Sequence, residues 1–385
     1  MSHPGQPLYL DNASTTQVDP TVAALAYKTM TEHYGNPSSL HQAGVAADNL
    51  ISNAKKRLSS ALGDSHSECG NILWTSGGTE ADAIGLLAVA RSKKHKKSIA
   101  ISSLEHSAIR SCANTLFKEG HELIKVDATK EGIVTPEEIS SKITPDTQVL
   151  SLIVVQNEIG TVLPIQALVK AARAKNPNIH VHCDGVQALG KVPISVMDWD
   201  IDSLALSAHK IHGPKGVGAL WIKKNVVLNP LWSGGGQQDG LRSGTQNVPG
   251  IAAFGLAAEL AQKAMPKLKS KSQFFKTSFV DGFLKRNIRF KINGSEGHLA
   301  GHVLSFAFEN CPAGPLLHTL ESRGIYCSAG SACSEKAKDR SPILTAIGTP
   351  EHAGTIRFSI GRLTSDEDLL RGVEIASDVV SEFQS

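Results

Sequence analysis

The stretch Ser203-Leu-Ala-Leu-Ser-Ala-His-Lys-Ile-His-Gly-Pro-Lys-Gly-Val-Gly218 decides the fold, because it joins a short apolar run to a reactive side chain. The run at 204–206 is typical of a buried strand, and His209 and Lys210 follow it before a glycine–proline turn. Desolvation at such a strand end lowers the pKa of a lysine, which must lose its proton to attack an aldehyde. The stretch therefore predicts a Schiff-base lysine for pyridoxal phosphate (PLP); the alternative is a surface lysine after a strand.

Similar apolar runs lie on both sides of this stretch and alternate with helical patterns, such as those at 79–91 and 165–174. The predicted strands are 71–75, 98–102, 123–126, 149–155, 180–183, 203–206 and 218–222. This alternation predicts an α/β fold with a mostly parallel sheet covered on both faces. Because ligands of such sheets bind outside the carboxyl ends of the strands, the candidate site lies there. The polar residues at those ends are Thr75 to Glu80, His106, Asn157, Asp184 and Ser207 to Lys210.

The pattern changes after about residue 250, and a chain of 385 residues is too long for one ordinary core. Predicted helices at 251–264 and 268–285 precede strand-like runs at 289–293, 301–308 and 355–359, and a last helix starts at Ser365 with a carboxylate at Asp368. We expect a large domain at 16–255. A smaller α+β domain is expected from 1–15 and 256–385.

Composition excludes several classes of function. The formal net charge of +3 and the absence of a basic stripe with interleaved aromatic residues argue against direct nucleic-acid binding. Apolar runs fall short of the ~18 residues of a membrane span, and the first residues lack a signal pattern. Six cysteines without regular spacing do not form a secreted disulfide framework, so a reducing cytoplasm is expected.

Two further patterns concern ligand binding. Thr75-Ser-Gly-Gly-Thr-Glu80 follows a predicted strand and opens a predicted helix, where free backbone N–H groups can hold a phosphate; a simple glycine turn is the alternative. In His180-Val-His-Cys-Asp184, alternation places both histidines and Asp184 on one face of a strand. A metal site would need a further ligand, so the preferred role is for Asp184 alone, which can keep a pyridinium nitrogen protonated.

Two segments rich in glycine or other small residues match no regular helix or strand pattern. Gly234 to Thr245 is either a flexible connector or a loop that reaches a ligand or a neighbouring subunit. Ser328-Ala-Gly-Ser-Ala-Cys333 lies in a turn-rich segment, where a cysteine could deliver a thiolate if its site activates it. The other five cysteines are predicted to be structural.

Together these residues resemble the cysteine desulfurase family (NifS/IscS type), within the class V aminotransferase fold of PLP enzymes (fold type I). The similarity extends over nearly the whole chain and in the same order. The matching motifs are Leu10 to Thr16, Tyr34 to Ser38, Ser76 to Glu80, Glu105-His106, Asn157 to Gly160, Asp184 to Gln187, Ser207 to Lys210, Arg242 to Thr245, Ser331 to Cys333 and Ile356 to Arg362.

The resemblance implies a role for each site residue. Lys210 would hold PLP covalently and move protons, with Asp184 on the ring nitrogen, Gln187 on the ring oxygen and His106 on the ring. The phosphate would be bound by Gly78, Thr79, Ser207 and His209, and by Thr245 from the second subunit of a homodimer. Asn157 and Arg357 would hold the substrate carboxylate, with Asn157 also near the cofactor. Cys333 would attack the sulfur of L-cysteine, giving L-alanine and a persulfide that passes to an acceptor.

The acceptor is less defined, because the chain departs from the family pattern in two places. The segment Ser334 to Arg340 is highly charged, and the chain ends close after its last predicted helix. An iron–sulfur scaffold or a sulfur carrier for tRNA or cofactor thiolation would each fit. Alternatives for the activity are a selenocysteine or cystine lyase, another class V aminotransferase, or a catalytically idle sulfur-trafficking protein on the same fold.

Overall fold

The computed structural model describes residues 7–64, 69–92, 97–330 and 341–385. These residues contain twelve strands: β1 (Leu8–Tyr9), β2 (Gly70–Thr75), β3 (Ser98–Ser102), β4 (Leu123–Val126), β5 (Thr147–Ile153), β6 (His180–Asp184), β7 (Ser203–Ser207), β8 (Gly218–Lys223), β9 (Phe290–Ile292), β10 (Val303–Phe308), β11 (Ile325–Tyr326) and β12 (Gly354–Ser359).

The main sheet has seven strands in the order β2-β8-β7-β6-β5-β3-β4. Only β8 runs antiparallel to its neighbours in this sheet, and the remaining pairs are parallel. Every residue of β5, β6 and β7 is buried, as expected for strands covered on both faces by helices. The predicted α/β fold with a mostly parallel sheet is confirmed.

The helices in the described residues are α1 (Pro20–Glu32), α2 (Gln42–Ala61), α3 (Gly78–Ala83), α4 (Val89–Arg91), α5 (Ser107–Lys118), α6 (Pro136–Lys142), α7 (Ile165–Lys175), α8 (Val196–Trp199), α9 (Val248–Lys285), α10 (Ala313–Ser322), α11 (Pro342–Ala346) and α12 (Asp366–Gln384). A π-helical turn, Ile84–Ala88, joins α3 to α4. This turn packs closely on the sheet, because a Cβ at Gly85 would lie 2.3 Å from the imidazole of His182.

A second core lies beside the main sheet. The antiparallel sheet β12-β10-β9 packs its phenylalanines against those of α9, with Phe279 stacked or tilted against Phe306 and Phe358. The first strand, β1, pairs with β11 of this region rather than with the main sheet. The last helix is capped as predicted, because the Ser365 hydroxyl accepts a hydrogen bond from the Asp368 N–H at 3.0 Å.

The long helix α9 departs from the prediction of two helices. It continues through Pro266, although an internal proline costs about 3 kcal/mol. Its first half, up to Ala261, packs in the core of the main sheet, and its second half, from Leu268, packs in the second core. Burial on both sides of Pro266 offsets the lost hydrogen bond. The expected boundary between residues 255 and 256 lies inside this helix, and the division into two domains stays a prediction.

Candidate active site

A cavity of about 250 Å³ lies at the carboxyl ends of β5, β6 and β7. Ten of the twelve predicted site residues line it: Gly78, Thr79, His106, Asn157, Asp184, Gln187, Ser207, His209, Lys210 and Arg357. They come from separate segments of the chain, and the parallel strands bring them to one edge of the sheet. The prediction that the site lies at the strand ends agrees with this arrangement.

Lys210 lies in a single 3-10 turn, Ala208–Lys210, directly after β7. Its Nζ donates to the carbonyl oxygens of Ala13 and Ser14, at 2.7 and 2.6 Å. Ala13 and Ser14 therefore cover the lysine and form part of the cavity wall. The strand end gives Lys210 a defined position, as a covalent cofactor lysine requires.

One end of the site offers unpaired hydrogen-bonding groups. The Ser207 hydroxyl is buried and has no hydrogen-bond partner among the described residues. It lines the same space as Gly78 and Thr79, which form the first turn of α3. Helix N-termini expose backbone N–H groups, so this end fits an anion such as the phosphate of PLP.

His209 lies at the same end of the cavity. Its Nδ1 is 3.1 Å from the Thr15 hydroxyl. Burial lowers the pKa of His209 to about 3, and the nearby charge of Lys210 adds to the shift. The imidazole is therefore neutral at neutral pH and can offer a hydrogen bond without carrying charge.

Asp184 lies at the end of β6 and is buried. One carboxylate oxygen accepts from the Val186 N–H at 2.9 Å, and burial raises the pKa of the group, although His106 and Lys210 oppose this shift. A protonated ring nitrogen would place a positive charge beside the Asp184 carboxylate and so stabilise its ionised form. The residue therefore fits the pyridine nitrogen of PLP.

Asp82 lies close to this carboxylate and was not singled out from the sequence. One atom each of Asp82, His106 and Asp184 lie within 4.8 Å of one another. Burial raises the pKa of Asp82 well above its ordinary value, and Asp184 and Glu105 add to this effect. Two carboxyl groups so close in a buried site cannot both carry charge at low cost, which favours protonation of Asp82.

The alternative metal site at His180, His182 and Asp184 does not assemble. Both histidine rings contact the Ser203 hydroxyl, at 2.8 and 2.9 Å. The other nitrogen of His182 lies 3.2 Å from the Asp82 carboxylate. Both ring nitrogens of His182 are thus engaged within the protein.

Arg357 lies on β12 and reaches the cavity from the second core. It is 1% exposed and donates to the Asn157 carbonyl at 3.0 Å and to Asp11 and Ser14 at 2.7 Å each. Its Nε is buried without a hydrogen-bond partner among the described residues. The guanidinium is therefore held firmly and retains a donor, as binding of a carboxylate requires.

Of the two remaining predicted residues, Thr245 is described and does not line the cavity. Thr245 is exposed on the surface, and Cys333 lies outside the described residues. The cavity also contains groups that the sequence did not single out individually, above all Ala13, Ser14, Asp82 and Val186. The motif Leu10 to Thr16 could have indicated the first two, but their backbone carbonyls carry no residue-specific signal.

Comparison with known proteins identifies the class of protein to which this chain belongs. The family model described as aminotransferase class-V matches residues 8–371. A relative from Methanosarcina thermophila named cysteine desulfurase IscS is 37% identical over 98% of this chain and 93% of its own length. A relative from Trichormus variabilis named cysteine desulfurase 2 is 34% identical over 98% of this chain and 94% of its own length.

A solved structure titled NifS-like protein superimposes with a TM-score of 0.90, at 32% identity, over 98% of this chain and all of that one. The chain therefore belongs to the cysteine desulfurase family of PLP-dependent enzymes, within the class-V aminotransferases. The predicted family and fold class are confirmed. None of the helices in the described part of the chain combines the length and apolar character of a membrane-spanning segment.

Proposed function

We propose that this chain binds PLP in the described cavity and uses it to remove sulfur from L-cysteine. The observation that carries the proposal is that Lys210, Asp184 and the unpartnered Ser207 hydroxyl line one cavity. Lys210 would hold the cofactor covalently, Asp184 would pair with its ring nitrogen and Gln187 with its ring oxygen. The phosphate would lie against Ser207, Gly78, Thr79 and His209. When bound, PLP withdraws electrons from the substrate carbon that bears the amino group.

The substrate carboxylate would bind to Arg357 and Asn157. The unpartnered Nε of Arg357 supports this assignment, because a buried donor without a partner is costly unless a ligand pairs with it. Asp11 and Ser14 each accept a hydrogen bond from Nη2 of the guanidinium, so its position does not depend on the substrate.

Two residues would move protons. Lys210 would act as a base, and His106 would lie against the PLP ring and assist the transfer. The Ala108 N–H donates to Nδ1 of His106 at 3.2 Å, which leaves the proton of the neutral ring on Nε2. Burial lowers the pKa of His106, although the charge of Asp184 opposes this shift. The ring is therefore neutral at rest and can accept a proton during turnover.

The sulfur-transfer step would use Cys333. Its thiolate attacks the sulfur of L-cysteine, an S–S bond forms, and the C–S bond breaks with its electron pair moving to carbon. That carbon then takes up a proton to give L-alanine, and Cys333 is left as a persulfide. The persulfide would pass to an acceptor protein, either an iron–sulfur scaffold or a sulfur carrier for tRNA or cofactor thiolation.

The assembly would be a homodimer in which Thr245 completes the phosphate site of the other subunit; its exposure in one protomer supports this role. Among the described cysteines, Cys69, Cys112, Cys183 and Cys311 are free thiols, which supports the expected cytoplasmic location. A selenocysteine or cystine lyase on the same residues is the alternative activity, and it would not need Cys333.

The test is Lys210→Ala against Lys125→Ala, which changes an exposed lysine of β4 that forms a surface ion pair with Asp127. Purified proteins are incubated with PLP and L-cysteine, and bound-cofactor absorbance, alanine and sulfide are measured with and without reductant. Lys210→Ala should lose the lysine-linked absorption band and all turnover, and Lys125→Ala should match the unmodified protein. Normal alanine production by Lys210→Ala would refute the proposal.

A further inference from the structure

Lys191 contacts a residue of the proposed site but does not line the cavity itself. It belongs to a turn after β6, four residues beyond Gln187, and its Nζ lies 2.8 Å from Oε1 of Gln187. The residue is half-buried, whereas Gln187 is 3% exposed. Gly190 allows this turn to approach α9, because a Cβ there would lie 2.4 Å from that of Ala261.

The two hydrogen bonds of the Gln187 amide determine which of its ends is nitrogen. Its Nε2 lies 2.8 Å from the carbonyl oxygen of Ala13, which can only accept. Its Oε1 faces the amine of Lys191, which donates. A flipped amide would bring two oxygens together at Ala13 and two donors together at Lys191. The orientation is therefore fixed at both ends.

This orientation has a consequence for the cavity. A side-chain amide carries two N–H groups, and the Ala13 carbonyl uses one of them. The second remains for an oxygen atom of a molecule bound in the cavity that Gln187 lines. The Ala13 carbonyl also accepts from Lys210 at 2.7 Å, so the amide is held at a defined place relative to the cofactor lysine.

We infer that Lys191 is a positioning residue, which holds the Gln187 amide so that its –NH₂ group faces the ring oxygen of PLP. The inference rests on the proposed function. Burial lowers the pKa of Lys191 well below its ordinary value, and the charges of Lys210 and Arg357 add to the shift. The argument does not depend on its charge, because a neutral amine also donates hydrogen bonds.

The alternative is that Lys191 only fills space behind the site. A double-mutant cycle separates the two, because a residue that acts through Gln187 has no separate effect once Gln187 is gone. The variants are Lys191→Met, Gln187→Leu and the double variant. The matched control is Lys271→Met, which removes another partly buried lysine, on α9, whose Nζ donates to the Thr364 carbonyl.

Each apoprotein is titrated with PLP, and the dissociation constant, the absorption maximum of the bound cofactor and the unfolding temperature of the apoprotein are measured. An amide left without its donor should weaken binding on the order of tenfold and shift the maximum in Lys191→Met. The double variant should match Gln187→Leu. The Lys271→Met control should bind PLP normally whatever its unfolding temperature.

Fully additive effects of the two single variants, or a Lys191→Met protein with the original constant and maximum, would overturn the inference. Lys191→Gln serves the same cycle if Lys191→Met is recovered unfolded. If the unmodified protein itself forms no lysine-linked band with PLP, the proposed function fails instead, and the two failures are thus distinguishable.

Discussion

Arg242 forms an ion pair with Glu80, with Nε donating to Oε1 at 2.8 Å. Glu80 also accepts from the Ser76 N–H, and it follows Thr79 directly in the first turn of α3. Burial acts to raise the pKa of Glu80, but the hydrogen bonds from Arg242 and Ser76 outweigh it and lower the pKa. The ion pair therefore ties the glycine-rich segment at 234–245 to the proposed phosphate site.

Arg242→Met should release this segment. A partly buried hydrogen bond to a charged group contributes about 1.5–3 kcal/mol, so we expect a lower free energy of unfolding and weaker PLP binding. The control is Arg91→Met, which breaks a more exposed pair with Glu119 worth about 0–1 kcal/mol. Urea unfolding and cofactor titration measure both effects. Equal losses in the two variants would contradict the proposed role of the pair.

Thr245 should act on the cofactor of the partner subunit. Thr245→Val should weaken PLP binding about tenfold or more, because a hydrogen bond to an anion is lost. A mixed dimer of one Lys210→Ala subunit and one Thr245→Val subunit would contain one intact site, because both defects fall on the other site. Co-expression with two tags allows its purification. Mixed dimers without a tight-binding, active site would show that Thr245 acts within its own subunit. Normal PLP binding by the Thr245→Val homodimer would show that Thr245 does not act on the cofactor.

Cys333→Ala should bind PLP normally but stop sulfur transfer. The cofactor-binding residues are unchanged, whereas the nucleophile for the substrate sulfur is gone. Mass spectrometry of the unmodified protein after L-cysteine should detect one added sulfur on the Cys333 peptide, and the variant should lack it. Cys327→Ala is the control, since this half-buried thiol lies only six residues earlier. A persulfide on Cys327, or alanine production by Cys333→Ala at the original rate, would exclude the assignment.

Glu105 should make the apoprotein less stable at high pH. Burial raises its pKa from 4.5 to about 8, and the nearby Asp184 adds to the shift. The folded chain then retains this proton where the unfolded chain has lost it, so the contribution to stability falls as pH rises from about 4.5 to about 8.

Glu105→Gln keeps an acceptor for the Ile153 N–H, which donates to Glu105 at 2.7 Å. At pH 8 the variant should therefore unfold at a higher urea concentration than the unmodified apoprotein, and its free energy of unfolding should be larger by at least about 1 kcal/mol. The difference should vanish below pH 4.5. Asp146→Asn, at an exposed carboxylate, is the control for a simple change of charge. Parallel pH profiles for Glu105→Gln and the unmodified protein would show that Glu105 titrates normally.

Much of the sheet and site was predictable because they depend on local patterns. Strands 98–102 and 123–126 have the predicted bounds, since short apolar runs ended by polar residues leave little choice. The rule that parallel strands present their carboxyl ends at one edge predicts that Asp184 and Lys210 lie close together, and both line the cavity.

The parts that were missed depend on contacts between distant segments. No sequence pattern distinguishes Lys191 from other lysines. Its contact with Gln187 follows from the turn that Gly190 permits against α9. Asp82 reaches Asp184 only through the packing of α3 on the sheet. The prediction of two helices instead of α9 was wrong. Proline disfavours a helix locally at Pro266, but the burial of α9 in two separate cores outweighs this effect, and that burial cannot be recognised from local sequence.

The continuity of α9 also governs how the molecule would lose its structure. With a rise of about 1.5 Å per residue the helix is roughly 57 Å long, and it supplies side chains to both cores. Melting of either core would remove the packing of one half of the helix, and most of the stability of a helix within a protein comes from such packing. We therefore expect the helix to link the two cores into one cooperative unit, in which heat or denaturant acts on both together.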